Sequence, residues 1–132
     1  MSNGKRMVAI AIGVGAAAPL PYLGGAVNGA RQFHKWALKL GYTSRLIVDD
    51  EKPVTISRLN SELLAELQST DPPIHRLAIY FAGHGLIREA EEGLWLLSDW
   101  STQLRAVAVE VLKRRLYRFN VGQIAIFADS CR

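Results

Sequence analysis

The stretch LAIYFAGHG, residues 77–85, runs apolar from Leu77 to Ala82 and then breaks into Gly-His-Gly. Apolar side chains at both odd and even positions leave neither face for water. A run this short, closed by glycines, reads as a strand buried on both faces rather than as a helix. Three more runs are of the same kind. Val8 to Ile12 is closed by Gly13 and Gly15, Leu46 to Val48 runs into Asp49-Asp50, and Ile124 to Ala128 ends in Asp-Ser-Cys-Arg. Between them the spacing changes from two to three-and-four. Ala26, Ala30, Phe33, Ala37 and Leu40 make one amphipathic helix, stopped at Gly41. Ile56, Leu59, Leu63 and Leu67 make a second, capped by Thr55 and followed by Pro72-Pro73. Val109, Leu112, Leu116 and Phe119 make a third, and Gly93 to Leu97 reads as a short hairpin arm. Doubly buried strands alternating with helices predict an α/β fold: a mainly parallel sheet between two helical layers.

The chain is 132 residues long, 49% hydrophobic and 21% charged, which suits one soluble domain with a real core. Its net charge of +4 raises the question of an acidic partner. The basic residues are scattered, however, and the one cluster, Lys113-Arg114-Arg115 with Arg118, falls on a helix and reads as a solvated face. No nucleic acid is expected, and no stretch is long enough for a membrane span. Lys5-Arg6 followed by apolar Met7 to Ala18 resembles a leader with a small-residue cleavage site. The rival reading, a first strand and a Gly-rich loop, fits the alternation better. The single cysteine gives no sign of an oxidising compartment, so the expected location is cytoplasmic.

Parallel sheets carry their chemistry at the carboxyl ends of their strands. Two of the strands end in reactive residues, His84 after the third and Cys131 after the fourth. If these strands are neighbours, about 4.8 Å apart, the two residues fall within side-chain reach. An imidazole that takes the thiol proton makes a strong nucleophile. Gly85 leaves room for a substrate near the backbone, and its N–H with that of Cys131 offers an oxyanion hole.

On these residues the chain resembles the caspase-like cysteine peptidases, the group of caspases, metacaspases and paracaspases. The likeness lies in YFAGHG (80–85) and DSCR (129–132), with support from Val8 to Gly13, LGGAVNGA (23–30) and LWLLSD (94–99). The resemblance implies a caspase-like three-layer α/β/α domain over residues 1–132, its large-subunit half, holding the first four core strands. It implies a cysteine endopeptidase that cleaves protein substrates through an acyl-enzyme. Cys131 is then the nucleophile, His84 the general acid/base, Gly85 and Cys131 the oxyanion amides, and Asp129 the acid of the pocket for P1, the residue before the cleaved bond. An acid there implies Arg or Lys at P1. Metacaspases place a second acid where this chain has Gly29, so one acid is expected. No metal or cofactor is expected, and Ala106 to Glu110 lacks the acidic pair of calcium-dependent members. The family's remaining strands and most of its substrate groove follow the cysteine. A companion C-terminal fragment or a second copy of the chain is therefore expected to complete the site, and residues 1–132 alone are not expected to turn over peptide. A break after Arg132 would suit a peptidase that cuts after arginine, but caspase-like chains are normally cut further on, so self-cleavage here is not the expected reading. Family members of this kind sit beside sensor or effector modules, which implies a role in cell suicide or antiphage defence.

Two readings from other classes compete. One is a catalytically inactive caspase-like interaction module. The other is a nucleotide- or phosphate-binding doubly wound domain, for which Gly13-x-Gly15 is only part of the required loop. An inert buried thiol is the bland alternative for Cys131, and a satisfied turn histidine for His84. Asp49-Asp50 follows the second strand rather than the first, unlike the acid pair of a phosphoacceptor pocket. His34 and His75 are expected at the surface without a role, and Trp36, Trp95 and Trp100 in the core or a groove wall.

Overall fold

The computed structural model describes residues 5–68, 72–88 and 92–131. Arg132 and the Cys131 side chain lie outside what is described. Six strands form one sheet: β1 (Arg6–Gly13), β2 (Thr43–Val48), β3 (Ile74–Arg88), β4 (Glu92–Trp95), β5 (Val107–Ala108) and β6 (Val121–Cys131). The helices are α1 (Ala26–Lys39), α2 (Ile56–Leu67), α3 (Trp100–Gln103) and α4 (Val109–Leu116), the last followed by a 3-10 turn at Tyr117–Phe119. The strand order is β2-β1-β3-β4-β5, with β6 paired to β3. β1 is parallel to β2 and to β3, and β6 is parallel to β3, so the four doubly buried runs form the parallel core. β4 returns antiparallel on the far end of β3, and β5 pairs with β4.

Strand alternation sorts the core into two layers. Val8, Ile10 and Ile12 of β1, with Leu77, Ile79 and Phe81 of β3, pack against Leu59, Leu63 and Leu67 of α2 and Leu116 of α4. Ala9 and Ala11 face the other way, toward α1, and contact with Ala30 and Ala37 closes that layer. The expected layering, helices on both faces of a mainly parallel sheet, is present. The first part of the leader-like stretch, Met7 to Gly13, lies in β1, hydrogen-bonded on both sides within the sheet, and the rest is loop. Among the described residues no helix is long and apolar enough to cross a membrane.

The caps follow the sequence closely. Thr55 Oγ1 accepts from the Arg58 N–H at 3.0 Å, and Gly41 takes φ of 87° just beyond α1. Two strands depart from expectation. β3 does not stop at Gly83 but continues to Arg88, because Gly85 to Arg88 find partners in β4. At its other end β3 begins at Ile74, which pairs with Arg6 and Val121, so His75 lies inside the strand. β6 begins three residues before the apolar run and continues through the polar Asp129 to Cys131, held by its register on β3. His34 is half-buried, with Nδ1 2.7 Å from Ser44 Oγ.

Candidate active site

The chain leaves β1 for β2 on one side and later returns to β3 on the other. The carboxyl ends of β1 and β3 therefore frame a switch point, where open α/β sheets hold ligands. The loop 14–25 crosses this opening and is tied from several directions. Asp49, at the end of β2, accepts from the N–H groups of Gly15 (3.0 Å) and Ala16 (2.9 Å). Trp100 Nε1 donates to the Ala17 carbonyl and Ser101 Oγ to the Ala18 carbonyl, each at 3.0 Å. The Leu23 N–H closes the loop on the Gly15 carbonyl at 2.8 Å. Gly15 is required here, since a Cβ would stand 2.8 Å from the Tyr22 ring. Asp49 thus has a structural task, and its neighbour Asp50 is ion-paired with Arg31.

His84 is 8% exposed, the one buried polar side chain among the described residues. Its Nε2 lies 2.7 Å from the Pro21 carbonyl oxygen. A carbonyl only accepts, so Nε2 carries the proton and donates, which leaves the lone pair of the neutral ring on Nδ1. The histidine stands where one ladder gives way to another. The parallel ladder with β6 ends at the couple His84–Cys131, and the antiparallel ladder with β4 begins at Gly85–Trp95. The sequence-predicted nucleophile and base are thus paired residues on adjacent parallel strands.

The direction of the Gly85 amide follows from peptide planarity. Val14 N–H bonds the Ala82 carbonyl at 2.9 Å and Leu96 N–H bonds the His84 carbonyl at 3.0 Å, so both carbonyls point to the β1–β4 edge. The trans peptide turns the Gly85 N–H the opposite way, to the edge where Cys131 lies.

Asp129 stands two residues before the cysteine and is exposed. It lines a cleft of about 380 Å³ with Tyr22, Leu23, Gly24, Gly25 and Gly83, between the loop and the ends of β3 and β6. The Tyr80 hydroxyl donates to Asp129 Oδ2 at 3.4 Å. Burial raises the Tyr80 pKa above its ordinary value, and the Asp129 charge and hydrogen bond raise it further. A Cβ on Gly29 would lie 2.6 Å from that hydroxyl, so Tyr80 closes the position at which metacaspases place a second acid. A larger cleft of about 440 Å³ lies by Trp36, Tyr42 and Phe127, but none of its lining residues is a nucleophile or carboxylate. The smaller cleft holds Asp129 and reaches Gly83, the residue before His84.

Sequence reasoning missed Pro21, Tyr80, Trp100 and Ser101. Pro21 acts through a backbone carbonyl, which no residue type signals. Trp95 is core, 2% exposed and stacked on Phe81, whereas Trp36 is half-exposed. No protein-family model matches the chain, and no curated protein matches it.

Proposed function

We propose that this chain carries the catalytic dyad of a caspase-like cysteine endopeptidase, with His84 as general acid/base and Cys131 as nucleophile. The observation that carries the reading is the His84–Cys131 couple at the end of the parallel ladder. The buried imidazole beside it, with Nε2–H spent on Pro21, supports the assignment of Nδ1 as the base. The thiol proton passes to Nδ1 and the thiolate attacks the peptide carbonyl carbon. Negative charge gathers on the carbonyl oxygen, near the Gly85 N–H and the backbone of Cys131. The imidazolium then gives its proton to the leaving amine as the C–N bond breaks, and a thioester remains. Nδ1 next takes a proton from water, the hydroxide attacks the thioester, and the acid product leaves with the thiol restored.

Asp129 in the open cleft gives the reading its specificity. A carboxylate there attracts a protonated Lys or Arg side chain, so cleavage falls after a basic P1 residue. The substrates are proteins, and a role in cell suicide or antiphage defence in the cytoplasm, alongside a sensor or effector protein, follows from the same resemblance. The dyad reading is tested by a peptidyl acyloxymethyl ketone with Arg at P1. The expected result is covalent labelling of Cys131, lost in Cys131→Ala and reduced at least about a hundredfold in His84→Ala. Equal labelling of His84→Ala would overturn the dyad. No labelling of the intact protein would favour an inactive interaction module.

A further inference from the structure

His84 is aimed by a loop. The acceptor of its Nε2–H is the carbonyl of Pro21, midway along residues 14–25, and a loop holds a catalytic group only as well as it is itself held. The Asp49 bonds fix Gly15 and Ala16, close to β1. The last side-chain ties before Pro21 are those of Trp100 to Ala17 and Ser101 to Ala18. They differ in weight. Ser101 is exposed and its bond competes with water, whereas the Trp100 indole is half-buried on a rigid ring. The Ala17 carbonyl also accepts from the Leu20 N–H at 3.1 Å, closing a turn that delivers the chain directly to Pro21. One oxygen therefore holds both the clamp and the turn.

The platform under Trp100 is firm. Asp99 accepts from the Ile56 N–H at 3.1 Å at the start of α2, and Ser98 Oγ accepts from the Val54 N–H at 2.8 Å. The Trp100 backbone is bonded to Leu97 before it and Arg105 after it, at 3.2 Å each. We infer that Trp100 is a positioning residue for His84: its indole N–H fixes the Ala17 carbonyl, which places the Pro21 carbonyl, which selects the Nε2–H tautomer of the imidazole. This rests on the reading of His84 as the general base.

The test is nitrogen NMR of the three histidines in the intact chain, wild type against Trp100→Phe, which keeps an aromatic ring and removes the N–H. In the wild type the His84 proton is expected on Nε2. In Trp100→Phe the His84 signals are expected to move toward tautomer averages, with about a third or more of the protons on Nδ1, while His34 is unchanged. In a peptidase-competent preparation the same variant should lose about tenfold in kcat with KM held. Without any variant, the Trp100 indole N–H should be protected from hydrogen exchange by its bond to the Ala17 carbonyl. An unchanged His84 tautomer in Trp100→Phe overturns the inference, and so does an indole N–H that exchanges as fast as an exposed one if that variant fails to fold. A wild-type proton on Nδ1 overturns both the inference and the base assignment. If the tautomer shifts as expected but Cys131 takes no label, the peptidase reading falls and the positioning role stands.

Discussion

Tyr80 lies on the α1 face of β3, its ring stacked on Phe33 with centroids 5.0 Å apart and its hydroxyl between Gly29 and Asp129. The packing explains why the helix carries glycine at 29, since any side chain would begin inside the contact distance of the hydroxyl. It also fixes the number of acids facing the cleft from these two positions at one. Because the raised Tyr80 pKa favours the neutral form in the folded state, the stability this contributes is full below the unfolded value near 10.0 and is lost as pH rises through the folded value. Asp129→Asn removes the charge but not the burial. The Tyr80 pKa should therefore fall in that variant while remaining above that of an exposed tyrosine, as followed by tyrosinate absorbance or NMR. A pKa that does not move would mean that the two groups do not touch in solution. A fluorogenic panel varied at P1 addresses the same residue from the substrate side. Arg and Lys should lead, and Asp129→Asn should erase most of that lead, whereas a preference for Asp at P1 would reject the basic pocket.

Helix α1 rests on β1 because the strand alternates large and small. Val8, Ile10 and Ile12 fill the α2–α4 layer, and Ala9 and Ala11 let α1 approach. Gly13 completes the series. A Cβ there would stand 2.7 Å from the Ala26 carbonyl oxygen and 2.9 Å from the Ala30 Cβ, and neither is the tip of a flexible side chain. Gly13→Ala should therefore destabilise the domain by roughly 1–3 kcal/mol through overpacking, measured by urea unfolding. A cost below about 0.5 kcal/mol would show that α1 can slide away from β1 freely. Gly13 carried a clear signal in the sequence, and so did the strand cores and the cap at Thr55, because each is a local matter of periodicity or turn chemistry. The length of β3 was hidden for the opposite reason. Gly83-His84-Gly85 has the composition of a stop, and only pairing with β4 carries the strand through it. The short β5 and α3 lack any periodic signal. The candidate site divides the same way. His84 and Cys131 were legible as a candidate pair at the ends of two apolar runs, and Asp129 through the family resemblance. Pro21 and Trp100 were not, since their contacts run through backbone carbonyls in a loop and join parts of the chain remote in sequence.

At the scale of the molecule, among the described residues β6 pairs with β3 alone, so its outer backbone edge is open. Along it, Ile124 and Ile126 are half-buried against the α2–α4 core. Phe127 is not: it is 46% exposed on the α1 face, where its ring meets Phe33 at 5.6 Å. With Trp36 and Tyr42 it lines the cleft of about 440 Å³ beside the strand. An open strand edge next to exposed aromatic surface is the combination that soluble proteins avoid by charge, prolines or a covering element. Neither a charge nor a proline occurs between Val121 and Ala128. The 132-residue chain is therefore expected to self-associate through β6, with the apparent mass rising over micromolar concentrations in sedimentation velocity. Phe127→Lys places a charge at the edge without removing a core contact of the α2–α4 layer. It should shift the protein toward monomer while leaving its circular dichroism unchanged. A wild-type chain that stays monomeric at high concentration would mean that the edge is protected, and association unchanged by Phe127→Lys would place the contact on another surface.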